Sequence, residues 1–234
     1  DFDRAVDGSL VNIFSNSGQI CIAGSRILVQ RGIAARFVET FVKRTQALRV
    51  GNPLDPKTEV GPMAFKTHWQ RVLDHIEKAK LEGATLLCGG EPLTKLGEGY
   101  FVAPTVFQVN SNRLSLCQEE VFGPVVSIQI FDEDEEAFSL ANDSRFGLVG
   151  YCWTNSLARS QAFRQKVDAG TLWVNTPLAR DLRAPFGGFK ESGIGRDGPR
   201  QAAEFFTEEK ATITAIDKVP IRKMGETTNT DAGK

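Results

Sequence analysis

The sequence predicts an α/β fold in which helices flank an open, largely parallel sheet. Short apolar runs alternate along the chain with longer segments whose apolar residues recur at helical spacing. Such alternation is typical of a parallel sheet, because parallel neighbours need a crossover connection between them. The run at 125–131 is apolar enough to be buried on both faces of such a sheet.

The predicted elements of the first half begin with a strand at 27–30. Apolar residues at helical spacing then predict an amphipathic helix over 33–49. The turn at 51–56, which contains two prolines, ends that helix. A second helix is predicted over 64–82, where one side is apolar and Gly83 marks the end.

In the second half, further strands are predicted at 85–87, 125–131, 151–153 and 172–174. Asp132 with Glu135 resembles a capping box that opens a helix through Ala141. Ser156 is expected to cap another helix over 157–167.

The last strand-like run is 211–216, which is rich in β-branched residues and precedes a polar tail. A lone edge strand invites aggregation, so pairing with a second chain is the physical expectation. The alternative is an ordinary strand within the domain.

Composition excludes several classes of protein. The 234 residues are 41% hydrophobic and 24% charged, which suits one or two globular domains, and the net charge of −1 argues against a nucleic-acid or membrane-surface role. No run approaches the ~18 apolar residues of a membrane span, and the first residues resemble no signal peptide. Four widely spaced cysteines without a C-x-x-C pair indicate neither a metal site nor a disulfide framework, so a reducing cytoplasm is expected.

Cys21 is the candidate nucleophile. It lies in an uncharged turn between Gly18 and Gly24, where small residues leave room for a substrate carbon. Backbone N–H groups in such a turn can stabilise a thiolate and an oxyanion. The alternative is a buried cysteine that packs as a small hydrophobe, which is the interpretation given to the other three: Cys88, Cys117 and Cys152.

Four stretches, in order, resemble the NAD(P)-dependent aldehyde dehydrogenase superfamily: Gly18–Arg26, Glu119–Val125, Gly170–Asn175 and Ala184–Gly193. The resemblance continues to about Ile216 and is to the C-terminal half of the family. It implies a catalytic domain over 1–207, an oligomerisation strand over 208–219 and a polar tail over 220–234. The nucleotide-binding domain is expected upstream of Asp1 and is absent from this sequence.

The resemblance also implies roles in catalysis and cofactor binding. Cys21 would attack an aldehyde and pass through a thiohemiacetal and a thioester. Glu120 would accept hydrogen bonds from the ribose hydroxyls of NAD or NADP, with Phe122 and His68 beside the same ribose; core packing for Phe122 and a structural role for His68 remain open. The second oxyanion donor and the base that activates water belong upstream in the family, so the chain alone is expected to be inactive as a dehydrogenase.

On the substrate side, the resemblance places Asn175 in support of the active-site wall and Phe186 in the substrate tunnel. Arg180 and Arg183 lie in the loop that lines the entrance. A guanidinium binds a carboxylate in bidentate fashion, so the two arginines favour a carboxylated semialdehyde, such as the substrates of the hydroxymuconate-type group. The alternative is that one arginine pairs with Asp181 and the other is solvated.

Two classes of function follow. The first is the catalytic portion of an aldehyde dehydrogenase that acts on a small aldehyde and forms a homo-oligomer, a dimer or tetramer, through the 211–216 strand. The second is a truncated, non-enzymatic fragment or interaction module with the same fold. A CoA-acylating enzyme remains an alternative within the first class, and the sequence does not decide between NAD and NADP.

Overall fold

The computed structural model describes residues 1–225, and 226–234, the end of the predicted polar tail, lie outside the described residues. Its centre is a four-stranded sheet in the order β1-β4-β3-β2. Neighbours β1 and β4 are parallel, as are β4 and β3, whereas β2 is antiparallel to β3. These strands span Arg26–Gln30 (β1), Thr85–Cys88 (β2), Thr105–Val109 (β3) and Val125–Phe131 (β4). The prediction of a largely parallel sheet is confirmed.

Seven α-helices lie within the described residues: α1 (Phe2–Phe14), α2 (Arg31–Gln46), α3 (Lys66–Leu81), α4 (Ser115–Gln118), α5 (Asp134–Asn142), α6 (Leu157–Lys166) and α7 (Pro199–Phe206). Within those residues, no helix combines the length and the apolar character that a bilayer crossing requires. The predicted helices at 33–49 and 64–82 correspond to α2 and α3 within three residues at each end.

The core fills both faces of the sheet because successive strand residues point in opposite directions. Val106 and Val126 pack against α1 and α2 in one buried cluster. Their neighbours Phe107 and Val125 pack against α3 in the other. The apolar run at 125–131 is therefore buried on both sides, and helices flank the sheet as predicted.

Two small sheets support the loops beyond this core. Strands β6 (Val149–Cys152) and β7 (Thr171–Val174) are parallel, and β5 (Phe146–Gly147) pairs antiparallel with β8 (Phe189–Lys190). The predicted strands at 151–153 and 172–174 correspond to β6 and β7. The residues that follow β7 form the loop that carries the two candidate arginines.

One of the two predicted helix caps is confirmed. Ser156 precedes α6, and its hydroxyl accepts a hydrogen bond from the Arg159 N–H at 3.3 Å. The capping box at Asp132 and Glu135 is wrong, because the Asp132 carboxylate pairs with the guanidinium of Arg31 instead. A bidentate ion pair displaces the backbone N–H as the partner of that carboxylate, and α5 begins at Asp134, one residue later than the box requires.

Residues 211–216 form no strand within residues 1–225, and the Ile213 and Ile216 side chains are 98% and 96% exposed. The alternative of a strand within the domain is therefore wrong for this chain. A shared strand needs a second chain to supply its hydrogen-bond ladder, so that expectation stays a prediction.

Candidate active site

The Cys21 thiol is presented on a tight turn that follows α1. Asn16, Ser17 and Gly18 adopt left-handed backbone conformations, with φ of 49°, 58° and 72°, and turn the chain back after the helix. A hydrogen bond of 3.0 Å from the Ala23 N–H to the Ile20 carbonyl then closes the turn around Cys21. The side chain is exposed, as a nucleophile that meets a substrate must be.

The other three cysteines lie in environments that suppress reactivity. Cys88 and Cys117 are buried and Cys152 is half-buried. Desolvation is the main reason that the pKa of each thiol is raised, to about 11 for Cys152. Their thiolates are therefore scarce near neutral pH, whereas solvent and reagents reach Cys21 directly.

The turn packs against the segment that carries Glu120. A Cβ atom placed on Gly18 would lie 2.1 Å from the carbonyl oxygen of Gly123, so only glycine permits this approach. The side chain of Gln19 holds the same turn to a third segment: its Oε1 accepts from the Ala64 N–H at 2.9 Å and its Nε2 donates to the Pro62 carbonyl at 3.4 Å. The structure thus brings together two motif segments separated by about a hundred residues.

Replacement of Gly18 by Ala tests this contact. The added methyl meets a backbone oxygen at a residue with positive φ, so we expect the free energy of unfolding to fall by at least about 2 kcal/mol. The measurement is urea denaturation followed by circular dichroism. Gly32→Ala on α2 is the matched control, because nothing lies within 4 Å of a Cβ placed on Gly32 and alanine favours the helix. Equal stability of the two variants would contradict the close approach.

Glu120 is available to a ligand. Its side chain is exposed, and within residues 1–225 its carboxylate forms no hydrogen bond or ion pair. Its backbone is held, since the Arg71 guanidinium donates to the Glu120 carbonyl at 3.1 Å. A free carboxylate on a fixed backbone can accept two hydroxyl donors at once, which fits a ribose diol.

His68 and Phe122 lie together beside Glu120. The Nε2 atom of His68 is 2.7 Å from the Phe122 carbonyl oxygen, and their ring centroids are 6.1 Å apart. Nε2 carries a proton in this contact, because a carbonyl oxygen can only accept. His68 is only 9% exposed, so its first observable role is to hold the Phe122 backbone, whose φ is +56°.

Sequence reasoning missed Arg71 and Lys78, which support the same segment. His68, Arg71 and Lys78 lie on one face of α3, at a spacing that the sequence displays. Lys78 donates to Glu119 at 2.9 Å, and this bond lowers the pKa of the Glu119 carboxyl. The helix therefore holds this segment at two backbone carbonyls, those of Glu120 and Phe122, and at the Glu119 side chain, and leaves the Glu120 carboxylate free.

Asn175 closes the end of β7. Its Oδ1 accepts from the Thr154 N–H at 2.9 Å, and its Nδ2 donates to the Thr154 carbonyl at 2.7 Å. The side-chain amide is thus paired with the backbone that follows β6. These two bonds tie the start of the loop after β7 to the segment after β6. Direct substrate contact for Asn175 stays a prediction.

The two candidate arginines have different surroundings. Arg183 forms an exposed ion pair with Asp181 at 2.7 Å. Arg180 is exposed, lies over the Phe186 ring with its Cζ 5.4 Å from the centroid, and forms no hydrogen bond or ion pair in the part of the chain described. One arginine therefore holds the loop, as the alternative expected, and the other remains free to bind an anion.

The cluster of Arg180 and Phe186 is joined to the Cys21 turn by two aromatic side chains that sequence reasoning did not select. The Trp173 indole N–H donates to the Ala179 carbonyl at 2.6 Å. Tyr151 stacks on Trp173 and donates from its hydroxyl to the Ile22 carbonyl at 2.9 Å. Their positions on predicted strands were the available signal, but the contacts depend on the tertiary fold.

Comparisons with known proteins are consistent with one another. The model of the Aldehyde dehydrogenase family matches residues 1–212. The betaine aldehyde dehydrogenase of Rhizobium etli is 40% identical over 220 residues, which cover 94% of this chain and 45% of that protein. The chain therefore spans about 45% of the length of the curated relatives that it matches.

Comparison with solved structures also finds an aldehyde dehydrogenase. The chain is similar to HpcC from Thermus thermophilus, with a TM-score of 0.87 and 40% identity over 97% of this chain and 45% of that one. It is also similar to an indole-3-acetaldehyde dehydrogenase in complex with NAD+, with a TM-score of 0.86 and 40% identity over 91% of this chain and 43% of that one.

Proposed function

Because the chain belongs to the aldehyde dehydrogenase family, we propose that it forms the catalytic portion of an enzyme that oxidises an aldehyde to a carboxylic acid with NAD or NADP. The observation that carries this proposal is the exposed Cys21 thiol, on a turn packed against the segment that presents Glu120. A nucleophile and a ribose-binding carboxylate on adjoining segments are the arrangement that this reaction needs.

Cys21 provides the covalent step. Its thiolate attacks the carbonyl carbon, a C–S bond forms, and the oxygen becomes the oxyanion of a thiohemiacetal. The Cys21 backbone N–H donates no hydrogen bond within residues 1–225, so it is free to stabilise that oxyanion. When bound, NAD(P)+ supplies the acceptor for the hydride that leaves the same carbon. The resulting thioester is hydrolysed by water, which releases the acid and restores the thiol.

The cofactor ribose fits the residues on the neighbouring segment. The unpaired, exposed carboxylate of Glu120 is suited to two ribose hydroxyls, and Phe122 places an aromatic ring beside them. His68 would orient this ring through its bond to the Phe122 backbone. A solved relative is described as a complex with NAD+, which supports the proposal; NADP remains open.

Arg180 points to an anionic substrate. A guanidinium without a carboxylate partner attracts a carboxylate and repels a cation. The relatives named betaine aldehyde dehydrogenase take their name from a positively charged aldehyde, for which a free arginine is unfavourable. We therefore propose a carboxylated semialdehyde of the hydroxymuconate type as the substrate class, with Arg180 and Phe186 at the entrance.

We also propose a homo-oligomer joined through 211–216. Ile213 and Ile216 are exposed and, being three residues apart, would lie on opposite faces of a strand, so each face would offer one isoleucine for a second copy to cover. The β-branched composition of the segment also suits a shared strand. Cys21 has to stay reduced to act as a nucleophile, which favours the cytoplasm.

The experiment that tests the function follows NADH formation. Joined to the upstream half that its relatives carry, the chain is expected to reduce NAD(P)+ with a semialdehyde, whereas the 234-residue chain alone is expected to form no NADH. The reason is that hydride transfer needs a nucleotide domain and thioester hydrolysis needs a positioned base. NADH formation by the purified chain alone would contradict the second expectation. An inactive joined protein would favour the non-enzymatic module, and a strict requirement for coenzyme A would favour the acylating reaction.

A further inference from the structure

Tyr151 contacts the part of the Cys21 turn that comes after Cys21 in the sequence. It is a half-buried residue of β6. Its hydroxyl donates to the Ile22 carbonyl at 2.9 Å, and its Cδ2 atom is 3.9 Å from the point where a Cβ on Gly24 would lie. The phenol thus contacts the turn at two places, one of them the carbonyl of the residue directly after Cys21.

The same ring is stacked on Trp173. The two residues are register partners on β6 and β7, and their ring centroids are 5.0 Å apart with planes 9° from parallel. The indole N–H of Trp173 in turn donates to the carbonyl of Ala179, the residue before Arg180. A continuous chain of contacts therefore runs from the entrance loop to the nucleophile's turn.

Tyr151 remains a hydrogen-bond donor while the thiol ionises. Burial raises the pKa of its hydroxyl well above the ordinary value, and the negative charge of a Cys21 thiolate raises it further. Cys21 is the titratable group whose charge acts on this hydroxyl. The Ile22 carbonyl consequently keeps its donor over the pH range in which a thiolate attacks.

We infer that Tyr151 is a positioning residue for Cys21 and that its stack with Trp173 couples the Arg180 loop to the nucleophile. The inference rests on the proposed role of Cys21. The hydroxyl holds the Ile22 carbonyl, with its partial negative charge, in a fixed direction. Without that donor the carbonyl is free to turn towards the sulfur, where it disfavours the thiolate.

The test measures how fast iodoacetamide alkylates Cys21 in the folded 234-residue chain. Tyr151→Phe keeps the stacked ring and removes only the hydroxyl. We expect alkylation at Cys21 to slow by about threefold to tenfold and its pH profile to move to higher pH. Tyr100→Phe is the matched control, because Tyr100 is the other tyrosine of the chain and its ring lies near Trp69. That variant is expected to react at the parent rate.

Trp173→Phe tests the coupling to the loop. It keeps an aromatic ring but loses the N–H that bonds the Ala179 carbonyl, so alkylation at Cys21 is expected to slow by about twofold to fivefold. In the double variant with Tyr151→Phe the two effects should be less than additive, since both act through one stack. If Tyr151→Phe does not fold, Trp173→Phe decides the test alone. An unchanged alkylation rate at Cys21 in Trp173→Phe then overturns the inference.

The outcomes separate this inference from the proposed function. If Cys21 is not the fastest-reacting cysteine of the parent chain, the proposed function fails. If it is, but Tyr151→Phe has the same rate and pH profile as Tyr100→Phe, only the positioning role is overturned. Faster alkylation of Cys88 and Cys117 in the variant, with an unmoved pH profile for Cys21, would show general loosening of the fold and would also overturn it.

Discussion

Cys21→Ala in the complete enzyme is expected to lower kcat/KM for any aldehyde by at least about 10⁴-fold, because the other three thiols of the chain are buried or half-buried and do not meet a substrate. Losses of this size are typical when a covalent nucleophile is removed. Cofactor affinity should be unchanged, since Glu120 and its backbone supports do not depend on the thiol. Steady-state kinetics and NAD+ titration of the same preparation measure both quantities.

Cys152→Ala is the matched control for this variant. Its thiol is half-buried, and burial raises its pKa to about 11, so loss of that thiol should leave kcat/KM within about twofold of the parent value. Comparable losses in the two variants would show that the first effect comes from altered packing. Retained activity in Cys21→Ala would remove Cys21 from the reaction.

Arg180→Ala is expected to lower kcat/KM for a carboxylated semialdehyde by about tenfold to a hundredfold. A hydrogen bond to a charged group contributes roughly 1.5–3 kcal/mol, and Arg180 has no other anionic partner within residues 1–225. The loss should be selective: a neutral aldehyde of similar size is expected to react at nearly the parent rate, because only the charged substrate uses the guanidinium.

Arg183→Ala is the matched control, since this arginine is already paired with Asp181 on the same loop. Its kcat/KM for both substrates should stay close to the parent value, because exposed ion pairs contribute little to stability. Equal losses on charged and neutral substrates in Arg180→Ala would indicate collapse of the loop over Phe186. Unchanged kcat/KM for both substrates would show that Arg180 is a solvated surface residue.

The sequence predicts the parts of the fold that local patterns encode. The apolar run 125–131 coincides with β4, since burial on both faces leaves a continuous hydrophobic signal. The amphipathic helices α2 and α3 were recognisable because their apolar residues recur at helical spacing. The short strand β3 was not predicted, because five residues that follow a proline carry too little periodic signal to distinguish a strand from a loop.

Contacts between distant segments lie beyond the reach of local patterns. The approach of Gly18 to Gly123 and the bond from Tyr151 to Ile22 each join segments about a hundred residues or more apart. The capping box failed because Arg31, a hundred residues away, pairs with Asp132. Motif resemblance identified Cys21 and Glu120 as candidates, but only the structure shows that their segments adjoin and that α3 holds the backbone at Glu120 and Phe122.

The most direct test of the account is the order in which the four cysteines react. Limiting iodoacetamide is added to the folded 234-residue chain at neutral pH, and peptide mapping by mass spectrometry measures modification at each position. We expect Cys21 to be alkylated stoichiometrically before the others, because it alone of the four is exposed and the raised pKa values of Cys88, Cys117 and Cys152 keep those thiols protonated. Earlier modification of any of those three in folded protein would contradict the assignment of Cys21 as the nucleophile.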